Sequence, residues 1–248
     1  MKKWTLILAI GLLAAGCAPA NRPAADGAMP ALDPLAGTPY APVINPDNFA
    51  SSITNAYMPL IPGTTRVYES QTADGLERIE VTVLDETRVV LGVTTTVVRD
   101  TVTLDGVLVE DTFDWFAQDE AGNVWYFGEA VDNYEDGVLA DHAGSWEAGV
   151  NGAQPGIVMF ADPAAHAGEP YRQEYFPGEA EDMGRVVGAA GPLTVPFGSF
   201  EDVVQTEDWT PLEPDVREHK YYARGVGVIK EVNLATGEAV ELVSLLMP

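Results

Sequence analysis

The residues with the clearest capacity for chemistry are acids and aromatics on one short segment. Asp111, Asp114 and Trp115 lie in a run of alternating polar and apolar residues that follows an Asp-Gly pair. In a β-strand, the odd-numbered residues of 109–115 would share one face and the even-numbered residues of 110–116 the other. Each face therefore combines carboxylates with aromatic rings, a combination that suits a small-ligand site on a sheet that partly encloses a cavity.

A second acidic cluster, formed by Glu179, Glu181 and Asp182, offers cation chemistry. Hard cations such as Ca²⁺ bind about six to eight oxygen ligands from carboxylates and carbonyls. These three acids, with Asp111 and Asp114, are therefore candidate calcium ligands, and no other cofactor is indicated. The chain has no Asp-x-Asp-x-Asp-Gly loop, so calcium is supported by composition alone. Turn capping and solvated strand faces are the competing explanation for the same acids.

Enzymatic chemistry has little support in the sequence. Three histidines occur, and no two of them are spaced as metal ligands on one strand. The chain contains neither a nucleophile elbow nor a phosphate-binding loop. Paired carboxylates could hydrolyse a glycan, which leaves a carboxylate-based glycan hydrolase as an alternative to a non-enzymatic domain.

The elements that must position these residues are predicted to be strands. Short runs rich in Val, Thr and aromatics alternate with turn pairs, and Asp105-Gly106 between 95–104 and 107–116 predicts a tight hairpin. No long amphipathic helical period is present. The pattern predicts an all-β fold, either a single antiparallel curved sheet or a partly closed β-barrel, in one domain spanning 54–248. A long irregular loop is predicted near 148–168, with one helical turn at 162–166.

The first residues have the organisation of an export signal. Two lysines precede an apolar run over 4–13, and small residues lead to Cys17. The run is shorter than the roughly 20 residues that a membrane-spanning helix needs. We therefore expect 1–16 to be a removable signal peptide. Cys17 is the only cysteine, which excludes an intramolecular disulfide, and the Pro/Ala-rich segment 17–53 is predicted to be a tether.

The Leu-Ala-Ala-Gly-Cys string ending at Cys17 resembles the lipobox of bacterial lipoproteins, with Ala14 where that motif usually has Leu. The resemblance implies cleavage before Cys17, a diacylglycerol on its sulfur and a location in the cell envelope. Ala18, where an Asp often marks inner-membrane retention, favours the outer membrane facing the periplasm if the cell is Gram-negative.

The domain itself resembles an uncharacterised family of exported bacterial lipoproteins. The most distinctive block is Asp-x-Phe-Asp-Trp-Phe-Ala-Gln-Asp-x-x-Gly-Asn-Val-Trp-Tyr-Phe-Gly-Glu over 111–129, and residues 55–65 resemble the family's opening segment. That family has no assigned activity. The resemblance therefore implies a class of protein without implying a mechanism.

The composition limits the partners. There are 13 Lys and Arg residues against 38 Asp and Glu residues, a net charge of −25. Such a surface repels nucleic-acid phosphates, so we expect no nucleic-acid partner. The expected partners are a membrane, through the N-terminal lipid, and either a small ligand or an envelope protein. The leading hypothesis is a membrane-anchored, non-enzymatic binding domain that holds a small apolar or amphipathic ligand on the concave face of its sheet.

Overall fold

The structure, a computed structural model, describes residues 32–248. The predicted signal peptide and Cys17 lie outside the described residues. Two short 3₁₀ helices occur within 32–248, η1 at Pro46–Asn48 and η2 at Pro163–His166. The strands are β1 Thr65–Gln71, β2 Leu76–Val90, β3 Val93–Leu104, β4 Val107–Gln118, β5 Val124–Glu135, β6 Val138–Asp141, β7 Trp146–Glu147, β8 Gln154–Met159, β9 Pro170–Arg172, β10 Glu174–Tyr175, β11 Met183–Ala189, β12 Leu193–Val195, β13 Gly198–Phe200, β14 Val203–Trp209, β15 Arg217–Ala223, β16 Gly227–Asn233 and β17 Ala239–Leu246.

Fifteen of these strands form one antiparallel sheet. Their order is β10-β8-β5-β4-β3-β2-β1-β17-β16-β15-β14-β11-β9, with β6 and β7 also paired to β5, while β12 and β13 form a separate hairpin. The sheet curves until it is nearly closed into a barrel. The predicted all-β class and the curved, nearly closed sheet are confirmed.

The two edges of the sheet meet in one continuous piece of chain. Strand β9 pairs with β11 at one edge, and β10 pairs with β8 at the other. Gln173 alone separates β9 from β10. Its backbone N–H donates to the Asp182 carbonyl at 2.8 Å. The chain therefore crosses directly from one edge to the other.

Glycine is required where β8 passes this crossing. A side chain built on Gly156 would collide with the backbone of Arg172 and Gln173. Because hydrogen is the only substituent that fits there, Gly156 lets β8 approach the β9–β10 junction closely enough to close the barrel.

The hairpin predicted at Asp105-Gly106 joins β3 to β4 through exactly those two residues. Both have positive φ, +48° and +80°, which a two-residue turn of this kind requires. The register that follows places Asp114 opposite Val98 and Thr112 opposite Asp100. The turn, together with a one-residue bulge between Leu108 and Glu110, therefore determines which residues of β4 lie opposite β3.

The predicted loop over 148–168 needs correction. Strand β8 lies in the middle of it and pairs with β5, with Val124 opposite Met159 and Trp125 opposite Ile157. Proline and glycine at 155 and 156 disguise this strand, because both residues are uncommon in strand interiors. The helical turn predicted at 162–166 is confirmed by η2.

Residues 32–53, within the predicted tether, lie against the barrel. Trp209 Nε1 donates to the Leu32 carbonyl at 2.7 Å, Arg172 pairs with Asp33 at 2.8 Å, and Tyr40 donates to the Pro155 carbonyl at 2.9 Å. These partners belong to β14, β9 and β8, close to the place where the sheet edges meet. The tether boundary at 53/54 stays a prediction.

Between residues 32 and 248 there is no helix with the length and apolar character needed to cross a membrane.

Candidate functional site

A cavity of about 80 Å³ lies in the interior of the barrel. Its walls are mostly apolar, and they come from strands on both halves of the sheet and from the segment before β1. The apolar lining includes Leu60, Val81, Val98, Phe116, Val158 and Val228. The polar groups that reach the cavity are Arg66, Tyr68, Asp114, Lys220 and Tyr222. An apolar space with a few convergent polar groups is the usual form of a small-molecule site.

Asp114 is the carboxylate that reaches this cavity. It lies on β4 beside Phe116, directly opposite Glu129 of β5, and its side chain is fully buried. The Tyr126 hydroxyl donates to Asp114 Oδ1 at 2.7 Å, whereas Oδ2 has no hydrogen-bond partner. Burial raises the pKa of Asp114 to about 7, against the smaller lowering effect of the Tyr126 hydrogen bond. The site thus contains an oxygen able to accept one further hydrogen bond.

The orientation of Tyr126 is itself determined by packing. A bulge in the β4–β5 pairing falls between Asp114 and Phe116, so that Tyr126 stands opposite Phe116. The two rings stack with centroids 4.9 Å apart, and Trp146 meets the Tyr126 ring edge-on at 5.3 Å. Aromatic contacts on two sides hold the hydroxyl toward Asp114.

Lys220 is the buried ammonium at the cavity. It lies on β15, and its Nζ is 3.4 Å from Asp208 Oδ2 and 3.7 Å from Glu231 Oε2. Burial lowers the pKa of Lys220, but the surrounding carboxylates of Glu231 and Asp208 outweigh burial, and the pKa is raised well above its ordinary value. Lys220 therefore stays charged, and its ammonium interacts with more than one carboxylate.

Arg66 supports the wall of the cavity. Its Nε donates to the Val226 carbonyl at 2.7 Å, and Nη2 donates to the Pro59 carbonyl at 2.8 Å. Burial lowers the pKa of this guanidinium. Because Arg66 already donates to two backbone carbonyls, its structural role is to hold the segment before β1 against the start of β16.

Acids greatly outnumber bases in the buried part of the barrel. Within 32–248, ten acids are buried, against the three bases Arg66, Arg172 and Lys220. Most of these acids have at least one oxygen without a hydrogen-bond partner, a rare state for a buried polar atom. The ten acids are Glu77, Asp100, Glu110, Asp114, Glu129, Glu174, Asp182, Asp208, Glu218 and Glu231.

The acids also influence one another. Burial first, and then neighbouring carboxylates, raise the pKa of Asp100, Glu129 and Glu231 well above the ordinary value. The pKa of Asp182 rises to about 8, mainly through burial, although Lys220 lowers it. Near neutral pH part of this group therefore holds protons, which limits the charge the barrel has to bury.

The structure separates the acids that were predicted to bind calcium. Asp111 points outward and forms a two-pronged ion pair with Arg99 at 2.8 and 2.7 Å. Glu179 is exposed, and Glu181 accepts a hydrogen bond from the Gly178 amide at 2.8 Å. Asp114 and Asp182 are both buried, and both act on the pKa of Glu129. In the described chain, no three or more His, Cys, Asp or Glu side chains stand together in an arrangement that could hold a metal ion.

Trp115, also predicted to line a ligand site, packs elsewhere. It follows Asp114 on β4 and points away from the cavity, where the Arg88 guanidinium covers its ring at 4.0 Å. It is only 4% exposed and belongs to the larger hydrophobic cluster, so its ring contributes to packing. Of the six predicted ligand or cation residues, Asp114 is the one that lines the cavity.

Sequence reasoning did not identify Lys220, Tyr222 and Phe116 as parts of one site. Their pattern was present: acids, a lysine and aromatics occupy alternate positions on β4 and β15. Alternation defines two faces for each strand, but it does not say which face lies inside a barrel when both carry polar and aromatic residues.

Comparison of the sequence with protein-family models and with curated proteins gives no match. Among solved structures, a "putative lipoprotein" from Parabacteroides distasonis is similar at 12% identity with a TM-score of 0.41, covering 77% of this chain and 99% of that one.

Proposed function

We propose that this chain is a cell-envelope lipoprotein whose barrel binds a small amphipathic ligand in the cavity beside Asp114. The observation that carries the proposal is the cavity itself, about 80 Å³ of mostly apolar space lined in part by Asp114, whose Oδ2 has no hydrogen-bond partner. Apolar walls favour the burial of a hydrocarbon group. The polar groups would orient the other end of the ligand.

The volume of the cavity restricts the size of the ligand. At roughly 15 Å³ for each water-sized position, about five such positions fit in this space. A small linear molecule with a similar number of heavy atoms, or the end of a longer chain, would fill it. A drug-sized ligand would need a larger pocket, roughly 300 Å³ or more.

The envelope part of the proposal is supported by the sequence. The basic start, the short apolar run and the string ending at Cys17 together match an export signal with a lipid attachment site. Several acyl chains on one residue would hold a soluble domain at a membrane surface far better than a single chain. The barrel would then be displayed on the periplasmic side, within reach of small molecules in the envelope.

The ligand proposal is tested with 1-butanol as the probe. The full chain carrying ¹³C-labelled valine methyl groups is titrated, and the methyl resonances of Val98 and Val158 are followed by NMR. We expect saturable shifts in these two residues. Val81→Phe, which places a ring in the cavity, should abolish the shifts. Val89→Phe, at a position 64% exposed on β2, is the matched control and should leave them unchanged.

Two results would contradict the proposal. One is that 1-butanol gives no saturable shift at either valine up to the limit of its solubility, and that butyl compounds of the same size with a charged end give none either. The other is that Val81→Phe, while folded, binds as well as the parent chain. Either result would show that the space beside Asp114 is not a ligand site.

A further inference from the structure

The unpartnered oxygen of Asp114 identifies the chemistry that the cavity can recognise. The side chain is fully buried, its Oδ1 is occupied by the Tyr126 hydroxyl, and its Oδ2 accepts no hydrogen bond from the protein. When Asp114 is ionised, this oxygen can only accept a hydrogen bond. The complementary group on a ligand is therefore a hydrogen-bond donor, and a charged donor gives the stronger bond.

The electrostatic surroundings select the sign of that charge. Asp100 on β3 and Glu110 on β4 are buried acids near Asp114; burial raises the pKa of each, and the charge of Asp114 raises both further. Ten buried acids stand against three buried bases in the described chain. A ligand cation would reduce this imbalance, whereas a ligand anion would add to it.

We propose that the ligand is a small primary alkylammonium ion, whose nitrogen donates to Asp114 Oδ2 while its hydrocarbon chain packs against Val81, Val98 and Phe116. This inference rests on the proposed function and names its ligand class. Asp114 lies next to Phe116 along the inner face of β4 and opposite Val98 on β3. The cavity therefore presents the Asp114 carboxylate beside a mostly apolar lining, which Arg66, Tyr68, Lys220 and Tyr222 interrupt.

Lys220 does not make the cavity a binding site for a ligand that carries a carboxylate. Its ammonium lies 3.4 Å from Asp208 and 3.7 Å from Glu231, and the charge of Glu218 also acts on it. A ligand carboxylate reaching Lys220 would have to compete with these acids and enter a region with excess negative charge. Arg66 is already engaged in the wall of the cavity, because its Nε and one hydrogen of its Nη2 donate to two backbone carbonyls.

The test compares three probes of nearly equal size: n-butylammonium, 1-butanol and n-butyrate. Each is titrated into the labelled full chain at pH 8, and the dissociation constant is taken from the Val98 and Val158 methyl shifts. We expect n-butylammonium to bind at least about tenfold tighter than 1-butanol, which is the scale of one hydrogen bond to a charged group. We expect n-butyrate to bind more weakly than 1-butanol.

Two variants on the same strand locate the effect. Asp114→Asn keeps the shape of the side chain and removes its charge, so n-butylammonium should lose about tenfold in affinity while 1-butanol changes less than twofold. Asp111→Asn removes an equal charge from the outward face, where Asp111 pairs with Arg99. It should leave both affinities unchanged.

The outcomes separate this inference from the function on which it rests. If none of the three probes binds, the proposed function fails and the ammonium inference fails with it. If 1-butanol or n-butyrate binds as tightly as n-butylammonium, or if Asp114→Asn weakens both probes equally, only the ammonium inference is overturned.

A measurement on the parent chain alone covers the case in which Asp114→Asn does not fold. Because the pKa of Asp114 is about 7, n-butylammonium should bind more tightly at pH 8.5 than at pH 5.5, while 1-butanol should show no such change. The titratable or charged groups around Asp114 are Tyr126, Glu129, Asp100, Glu110, Glu174 and Lys220. An n-butylammonium affinity that is the same at both pH values would overturn the inference.

Discussion

Replacing Glu110 with glutamine should stabilise the protein at alkaline pH and have little effect at acidic pH. Glu110 lies on the inner face of β4 and is only 2% exposed. Thr112 Oγ1 donates to its Oε1 at 2.8 Å, and its Oε2 has no partner. The ionised carboxylate is therefore poorly compensated, and a neutral side chain of the same shape should be better tolerated.

The size of the effect follows from the pKa. Burial, opposed by the Thr112 hydrogen bond and reinforced by Asp114 and Asp111, raises the pKa of Glu110 from 4.5 to about 7. Each pKa unit corresponds to about 1.4 kcal/mol, so ionised Glu110 costs the folded state about 3 kcal/mol. Glutamine has no such cost, although its amide must also find a partner.

The sign of the pH dependence is determined by where the proton is held. Between pH 4.5 and 7 the folded chain retains the Glu110 proton while the unfolded chain releases it, so the free energy of unfolding falls as the pH rises. Below pH 4.5 both states are protonated, and above pH 7 both are ionised. Glu110→Gln should therefore gain about 3 kcal/mol over the parent chain at pH 8 and almost nothing at pH 4.

The assay is urea-induced unfolding of the full chain, followed by tryptophan fluorescence at intervals between pH 4 and pH 8. Glu80→Gln is the matched control, because Glu80 is exposed on β2, two strands away in the sheet, and its replacement changes the net charge equally. If Glu110→Gln and Glu80→Gln have the same pH profile, Glu110 is ionised and compensated in the folded protein. The raised pKa of Glu110 would then be refuted.

Two further predictions concern the closure of the barrel and the anchor. Gly156→Ala should destabilise the fold by about 2 kcal/mol or more in urea unfolding, because its methyl group would meet the backbone of Arg172 and Gln173; Gly198→Ala, which meets nothing within 4 Å, is the control, and equal effects would contradict the closure argument. Cys17→Ser should abolish incorporation of labelled palmitate and release the chain from membranes, and a variant that still labels and stays with membranes would refute lipid attachment at Cys17.

Much of the fold could be predicted from the sequence because strand alternation and turn chemistry are local. Asp105-Gly106 predicts its hairpin correctly, since the two residues accept the positive φ values that the turn needs. The same local rules fail to predict strand β8. Its Pro155 and Gly156 are residues that local rules assign to loops, and only the passage of β8 beside the β9–β10 crossing explains them.

The candidate site could be predicted only in part. Asp114 was identified as a candidate, but Asp111 and Trp115 were proposed with equal weight and point the other way. On β4 both faces carry acids and aromatics, so hydrophobicity does not distinguish the inner face from the outer one. The distinction depends on Arg99 and Arg88, which cover the outward side chains, and no local pattern shows that they do so.

Which residues share the cavity with Asp114 also depends on how the sheet closes. Lys220 is on β15, and it lines the same cavity as Asp114 on β4 only because the path of thirteen strands curves back toward itself. The same curvature collects acids from strands throughout the chain into one interior, where each raises the pKa of others. The acidity of the interior is therefore a property of the closed barrel, and its chemistry would be lost in any isolated hairpin of the same sequence. A ligand that binds Asp114 must consequently be judged against the charge of the whole interior, which is why a cation is favoured there even though a lysine is close by.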